Sequence, residues 1–243
     1  MTDEEPLTGG NVTAGVIRAG DTVRRPAGPW TDAVDALLTH LHAVGFTAAP
    51  RPLGRDDRGR QVLEYIPGDL TAPTPAELPS VGRMLADLHE AVRDFAAPPG
   101  AVWNRLIPPD REELICHNDV APWNLVRSPR GWVLIDWDSA APASRLWDIA
   151  YAAQSMGGLQ PGLPVAEAAA RVRAFTDGYG LADAERAELA GLLGRRARAM
   201  WRLLRDGARD GRQPWARLWV RDGPHWLAVA DYLDEHRDSW AVR

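Results

Sequence analysis

Residues 115–138 read ICHNDVAPWNLVRSPRGWVLIDWD, and the parsing of this stretch decides the fold. Two short apolar runs, one ending at Cys116 and the other at Ile135, are each followed by polar residues. Runs of this length bounded by turn formers read as strands that open into loops. The first loop carries His117, Asp119 and Asn124 in the spacing H-x-D-x-x-x-x-N, and Asp136 follows Asn124 by twelve positions. Asp and Asn also favour turns, so a capped turn is the plain alternative for Asp119 and Asn124. A single three-residue pattern arises by chance; the added Asp and the apolar run before each loop make this one specific.

Working outward, the chain before this stretch begins with sheet-like sequence. "GGNVTAGVIRAGDTVRRP" alternates β-branched stretches with glycine turns, which predicts a hairpin-rich sheet. "TDAVDALLTHLHAVG" then sets Val34, Leu37, Leu38, Leu41 and Val44 at helical spacing, with Thr31 as candidate N-cap and Gly45 as stop. "RQVLEYIPGD" reads as a strand ending in a Pro-Gly turn. These pieces predict a small lobe over residues 1–68. The remainder, residues 69–243, is mostly helical, with the 115–138 stretch as a β-rich insert. In "SVGRMLADLHEAV", Val81, Met84, Leu85, Leu88 and Val92 share one face, and further helices are expected near 166–178, 183–208 and 224–236.

Bulk properties narrow the function classes. The chain has 243 residues, 45% of them hydrophobic and 25% charged, which suits a globular protein with a sizeable core. A net charge of −5 gives no reason to expect nucleic-acid binding. The apolar runs are too short to span a bilayer, and the acidic start "MTDEEPLTGG" lacks a signal core, so neither membrane nor secretion is indicated. The single cysteine, Cys116, fits a reducing cytoplasm. All 28 basic residues are arginine, so any chemistry that needs a lysine must use arginine here.

The H-x-D-x-x-x-x-N pattern followed by "IDWD" resembles the aminoglycoside phosphotransferase and choline kinase branch of the protein-kinase-like superfamily. The resemblance runs from about Gly9 to Tyr151, and beyond that the helical tail matches in pattern only. It implies an α+β, bilobal, kinase-like fold: a small β-sheet-plus-helix lobe and a larger helical lobe. It also implies transfer of a phosphoryl group from ATP, or GTP in its place, to a hydroxyl of a small metabolite or antibiotic. Phosphoryl transfer needs in-line positioning and neutralisation of charge more than covalent help. In the resemblance Asp119 is the catalytic carboxylate that accepts the hydroxyl proton, and His117 braces the catalytic loop. Asn124 and Asp136 supply oxygen ligands to Mg2+, which takes few ligands from protein. Asp138 either joins the metal or caps its turn. Asp148, in "RLWDIAY", tethers the loop or serves as a helix N-terminal acid, and His89 packs within its helix.

The nucleotide side follows the same resemblance. Gly10 and Gly15 lie in the hairpin expected over the phosphates, where a plain β-turn is the simpler reading. Arg24 is the candidate for the phosphate-binding lysine: strand alternation puts Val23 and Arg25 on one face, and Val23 is expected to face the core. The glutamate that normally pairs with that lysine is missing; Val34 falls at its position, between Asp32 and Asp35. The backbone of Glu64, Tyr65 and Ile66 is expected to meet the base. Residues 191–222 hold nine arginines against three aspartates, a formal +6, which suits a polycationic aminoglycoside poorly. A solvated helix face, an anionic acceptor or a partner surface all fit that run. The tail tryptophans Trp201, Trp215, Trp219, Trp226 and Trp240 read as packing anchors or as a platform for a ring-bearing acceptor. Two functions compete: a small-molecule kinase, and a kinase-like binding or immunity protein with little or no transfer. The first hairpin faintly resembles relatives labelled peptide-antibiotic immunity proteins. A metal-dependent phosphohydrolase fits worst, for want of clustered histidines.

Overall fold

The β-branched and glycine-punctuated opening of the chain builds an antiparallel sheet of five strands. The computed structural model describes residues 4–7 and 15–241. Its strands are β1 (Glu4–Pro6), β2 (Ile17–Ala19), β3 (Thr22–Arg25), β4 (Pro52–Arg55) and β5 (Gln61–Glu64), in the order β1-β2-β3-β5-β4. Helix α1 (Thr31–Ala43) follows β3 and buries Val34, Leu37, Leu38 and Leu41 of the predicted stripe, whereas Val44, just past its last turn, is exposed. Thr31 is the first helical residue rather than the cap, its hydroxyl accepting from the Gly28 N–H at 2.8 Å. Gly45, at φ 89°, ends the helix as expected.

The chain then crosses to a helical lobe. Strand β6 (Asp69–Leu70) pairs with β8 (Leu125–Ser128), so the crossing is complete by Asp69. Helix α2 (Leu78–Ala91) buries Val81, Met84, Leu85 and Leu88. Strand β7 (Leu114–Cys116), the β8–β9 hairpin (β9, Gly131–Leu134) and β10 (Ala141–Ala143) form the β-rich insert. Helices α3 (Arg145–Gly157), α4 (Val165–Tyr179), α5 (Asp183–Arg209), α6 (Trp215–Glu235) and α7 (Arg237–Trp240) complete the lobe. No helix among the described residues is long and apolar enough to cross a membrane. One contiguous core runs from Leu37 and Leu63 in the small lobe through Leu85 and Trp137 to Leu193 and Trp240.

Two local features differ from the sequence reading. Helix α6 starts at Trp215, not near residue 224, because Pro224 sits inside it. Proline there removes the bond to the Val220 carbonyl, and Val220 is 82% exposed, so water can satisfy that oxygen. Strands β1, β4, β6 and β10 carry too few alternating apolar residues to announce themselves. A third feature is a close helix crossing. Gly82 of α2 and Gly178 of α4 let the helices touch: a Cβ at 82 would stand 2.1 Å from the Phe175 carbonyl oxygen, and one at 178 would stand 2.0 Å from that of Pro79.

Candidate active site

The β-rich insert brings the sequence-predicted residues to one end of the cleft. Strand β7 pairs with β10, Cys116 opposite Ala141, and delivers His117–Asp119. The β8–β9 hairpin pairs Leu125 with Leu134, and the Ile135 N–H donates to the Asn124 carbonyl at 2.9 Å, so Asn124 and Asp136 emerge side by side. The loop backbone is unusual at two points: Asn118 (φ 64°) and Asp136 (φ 59°) are both left-handed. Asn and Asp are the non-glycine residues that tolerate this region best. The strain at Asn118 is held by its surroundings. Its N–H donates to Asp148 Oδ1 at 2.8 Å, and its side-chain amide donates to the carbonyls of Ser139 and Ala141 at 3.2 and 3.1 Å.

Asp119 lines the cleft. The Asn124 Nδ2 donates to its carboxylate at 2.8 Å and to its carbonyl at 3.0 Å. Burial, and then the neighbouring Asp136 carboxylate, push the Asp119 carboxyl up to about 7, against the pull of Tyr151, Asn124 and Arg196. His117 is fully buried. Its Nδ1 accepts from the Asp119 N–H at 3.3 Å, and its Nε2 lies 3.2 Å from the Ile135 carbonyl, so it ties the two loops together and does not enter the cleft. Burial holds its imidazole below the usual value. Behind the loop, Asp148 Oδ2 lies 3.1 Å from His89 Nε2, whose Nδ1 meets the Tyr179 hydroxyl at 2.8 Å. Cys116 joins His89 and Asp148 within 4.8 Å. The carboxylate oxygens there are already engaged, burial pushes the thiol up, and the thiol donates to the Ala143 and Ser144 carbonyls, so the trio is part of the satisfied core.

The arginine that reaches the site is Arg25, not Arg24. Arg25 is 5% exposed; its Nη1 donates to Asp136 Oδ1 at 3.0 Å and its Nη2 to Asp138 Oδ2. Arg24 points the other way, 3.7 Å from Glu4 and 3.8 Å from Asp56. The alternation is as predicted, but the inward face of this sheet continues into the cleft, so the residue sharing a face with Val23 is the one that enters. Asp32 and Asp35 do not pair with Arg25: Asp32 meets Arg55, and Asp35 accepts from Gln61 at 2.6 Å. The carboxylates of Asp136 and Asp138 are the partners that Arg25 takes instead. Asn124, Asp136 and Asp138 offer only oxygens, a hard donor set that fits a hard divalent cation. With its Nδ2 held by Asp119, Asn124 has its Oδ1 left to offer as a ligand.

On the nucleotide side, Gly15 is left-handed (φ 79°) and packs on Pro26, whereas Gly10 lies outside the described residues. The Glu64 and Tyr65 N–H groups are already used, donating to the carbonyls of Arg51 and Asp21, and the Glu64 side chain pairs with Arg130 at 2.8 Å. Ile66, in the step between the lobes, keeps its backbone groups free of partners among the described residues.

Sequence reasoning missed two residues. Tyr151, from α3, and Arg196, from α5, line the same cavity of about 840 Å³ as Asp119, Asp136 and Trp226. Arg196 is one of nine arginines in its run, and no local pattern marks it as the one turned inward.

Comparison with known proteins follows the same lines. Residues 100–192 match the model of the phosphotransferase enzyme family. The trifolitoxin immunity protein of Rhizobium leguminosarum bv. trifolii is 38% identical over 203 residues, covering 76% of this chain and 77% of that protein. A microcompartment-associated aminopropanol kinase superposes with a TM-score of 0.68 at 15% identity, over 100% of this chain and 94% of that one. An amicoumacin kinase in complex with AMP-PNP, Ca2+ and Ami superposes with a TM-score of 0.66 at 14% identity, covering 97% and 88%.

Proposed function

The chain belongs to the aminoglycoside phosphotransferase and choline kinase-like phosphotransferase family, and from that premise we propose that it is a small-molecule kinase. It transfers the γ-phosphoryl group of ATP, or of GTP, to a hydroxyl of a small metabolite or antibiotic in the cytoplasm. The observation that carries this reading is the convergence of Asp119, Asp136 and Asp138 on one cavity, with Asn124 bonded to Asp119 and Arg25 bonded to both other carboxylates.

Each residue has a task in the reaction. The acceptor oxygen attacks the γ-phosphorus, the bond to the bridging oxygen breaks, and the nucleoside diphosphate leaves; Asp119 takes the acceptor's proton. Asn124, Asp136 and Asp138 would hold Mg2+, which would supply neutralisation of phosphate charge. Arg25 answers the α- and β-phosphates as a bidentate donor, in the role a lysine has in relatives. The Ile66 backbone meets the base. The nucleotide and cation seen with the amicoumacin kinase support this reading only through the shared fold.

A second reading has its own support. The 38% identical relative is named for immunity, and this chain has no glutamate at the Val34 position. The protein would then bind its ligand without transferring phosphate. Incubation with Mg-ATP or Mg-GTP and a panel of hydroxylated metabolites and antibiotics separates the two. The kinase reading expects a mass gain of one phosphoryl group on an acceptor with the wild type and none with Asp119→Asn. Equal product from both proteins removes Asp119 as the base, and no product from any acceptor favours binding alone.

A further inference from the structure

Arg196 is the feature of the cavity that phosphoryl transfer as such does not explain. Only 3% of it is exposed, yet it lines the cavity. Its Nη2 donates to the Asn118 carbonyl at 3.0 Å, on the peptide that leads into Asp119. Its Nε and Nη1 are buried without a hydrogen-bond partner. Its Cζ lies 4.4 Å from the ring centre of Tyr151 and 5.6 Å from that of Trp147. No hydrogen bond joins it to Asp119, although the two charges attract. Other arginines of the run are answered by carboxylates: Arg198 by Asp231 and Asp234, Arg205 by Asp206, Arg209 by Asp210 and Arg221 by Asp222. A buried guanidinium with two unmatched donors is costly unless something completes it.

The missing partner must be an acceptor of hydrogen bonds, and the fork geometry of guanidinium suits a carboxylate. A cation placed against these donors would meet the guanidinium charge at close range in a buried, low-dielectric setting. The cavity adds rings: Trp226 stacks on Tyr151 at 6.3 Å and 22°. Resting on the kinase reading of this site, we infer that the acceptor is a hydroxy acid. It presents its hydroxyl to Asp119 and its carboxylate to Arg196, a few bonds apart, and lays an aromatic or apolar body against Tyr151 and Trp226. Arg196 is thus the residue that selects acids over amines.

The test needs no turnover. N-acetylated serine, threonine and 3-phenylserine are each prepared as the free acid, the carboxamide and the aminomethyl counterpart. Their affinities for the nucleotide-free protein are measured by ligand-observed NMR. At least one acid is expected to bind tenfold or more tightly than its carboxamide, with no binding of the amine. Arg196→Gln should abolish that preference, and Arg196→Lys should keep part of it. The wild-type comparison stands even if a variant fails to fold. Equal or tighter binding of amide or amine, a preference unchanged in Arg196→Gln, or no binding of any acid overturns the inference. Repeating the series with Mg-ATP separates the two claims. An acid that binds selectively but gains no phosphate supports this inference against the kinase reading, whereas phosphorylated amines support the kinase reading against this inference.

Discussion

Replacing Asp148 by alanine should destabilise the protein severely, because its carboxylate is fully buried and serves two donors at once. The Asn118 N–H reaches Oδ1 at 2.8 Å and His89 Nε2 stands 3.1 Å from Oδ2. Removal strands both donors and leaves a small void. Breaking a buried charge pair costs about 3–5 kcal/mol, which lies within the range of two stranded donors at about 1–3 kcal/mol each. At about 2–4 °C per kcal/mol for a chain of this size, Tm should fall by roughly 6–20 °C. Asp148→Asn is the informative control. Its amide oxygen still receives the Asn118 N–H, and its NH2 can donate to His89 Nε2 once the ring proton moves to Nδ1 and faces the Tyr179 hydroxyl. That variant should lose about half as much or less. The pH dependence follows from the same contacts. Burial alone would raise the Asp148 carboxyl, but the His89 bond and the charges beside it hold it below its ordinary 3.8. Its contribution is therefore complete above 3.8 and is lost only as pH falls further. Differential scanning calorimetry of the three proteins at pH 7, and at a pH below 3.8 where the wild type still folds, reads all of this. A Tm for Asp148→Ala within 2 °C of wild type would show that the tether carries no such energy.

Further outcomes follow from the geometry. Gly82→Ala puts a methyl 2.1 Å from the Phe175 carbonyl oxygen, so α2 and α4 must separate; thermal denaturation should show a loss of about 1–3 kcal/mol or more, as for overpacked cores. Arg25→Ala should cut nucleotide binding, read by fluorescence titration, tenfold or more, whereas Arg24→Ala should change it less than twofold; the reverse order refutes the assignment of faces. With the Asp119 carboxyl at about 7, kcat/KM for the free enzyme should rise with pH through that value, since only the carboxylate accepts a proton. The stability sign is opposite. A raised carboxyl favours the fold when protonated, so stability is lost as pH climbs from 3.8 toward 7, and Asp119→Asn should raise Tm at pH 8 but not at pH 4.

The sequence was most legible where chemistry forces a residue type at a fixed spacing. His117, Asp119, Asn124 and Asp136 come together because the loop after β7 and the β8–β9 hairpin deliver them, and the spacing in each is written locally. The stripes of α1 and α2 were equally plain, since helical periodicity repeats over several turns. What was not legible depends on neighbours distant in sequence. Strand β10 has three residues and exists only because β7 lies beside it. The start of α6 was hidden by Pro224, a local breaker tolerated where the helix around Val220 faces solvent. Alternation correctly separated Arg24 from Arg25, but it could not say that the inward face, which carries Val23 and Arg25, is the one that continues into the cleft.

The arginine-rich run makes the same point for function. By composition, residues 191–222 look like a single positive surface of +6. In the fold the run is divided by what each side chain meets. Arg198 crosses to two aspartates of α6, while Arg205, Arg209 and Arg221 take the aspartate next to them in the chain. Pairs exposed in this way contribute little energy and project little field. Arg196 differs only in where the α5 register points it, between Tyr151 and the Asn118 carbonyl. A charge summed along the sequence therefore says almost nothing about the acceptor. One buried guanidinium, set beside the carboxylate at 119, imposes a sign on the molecule that can approach it.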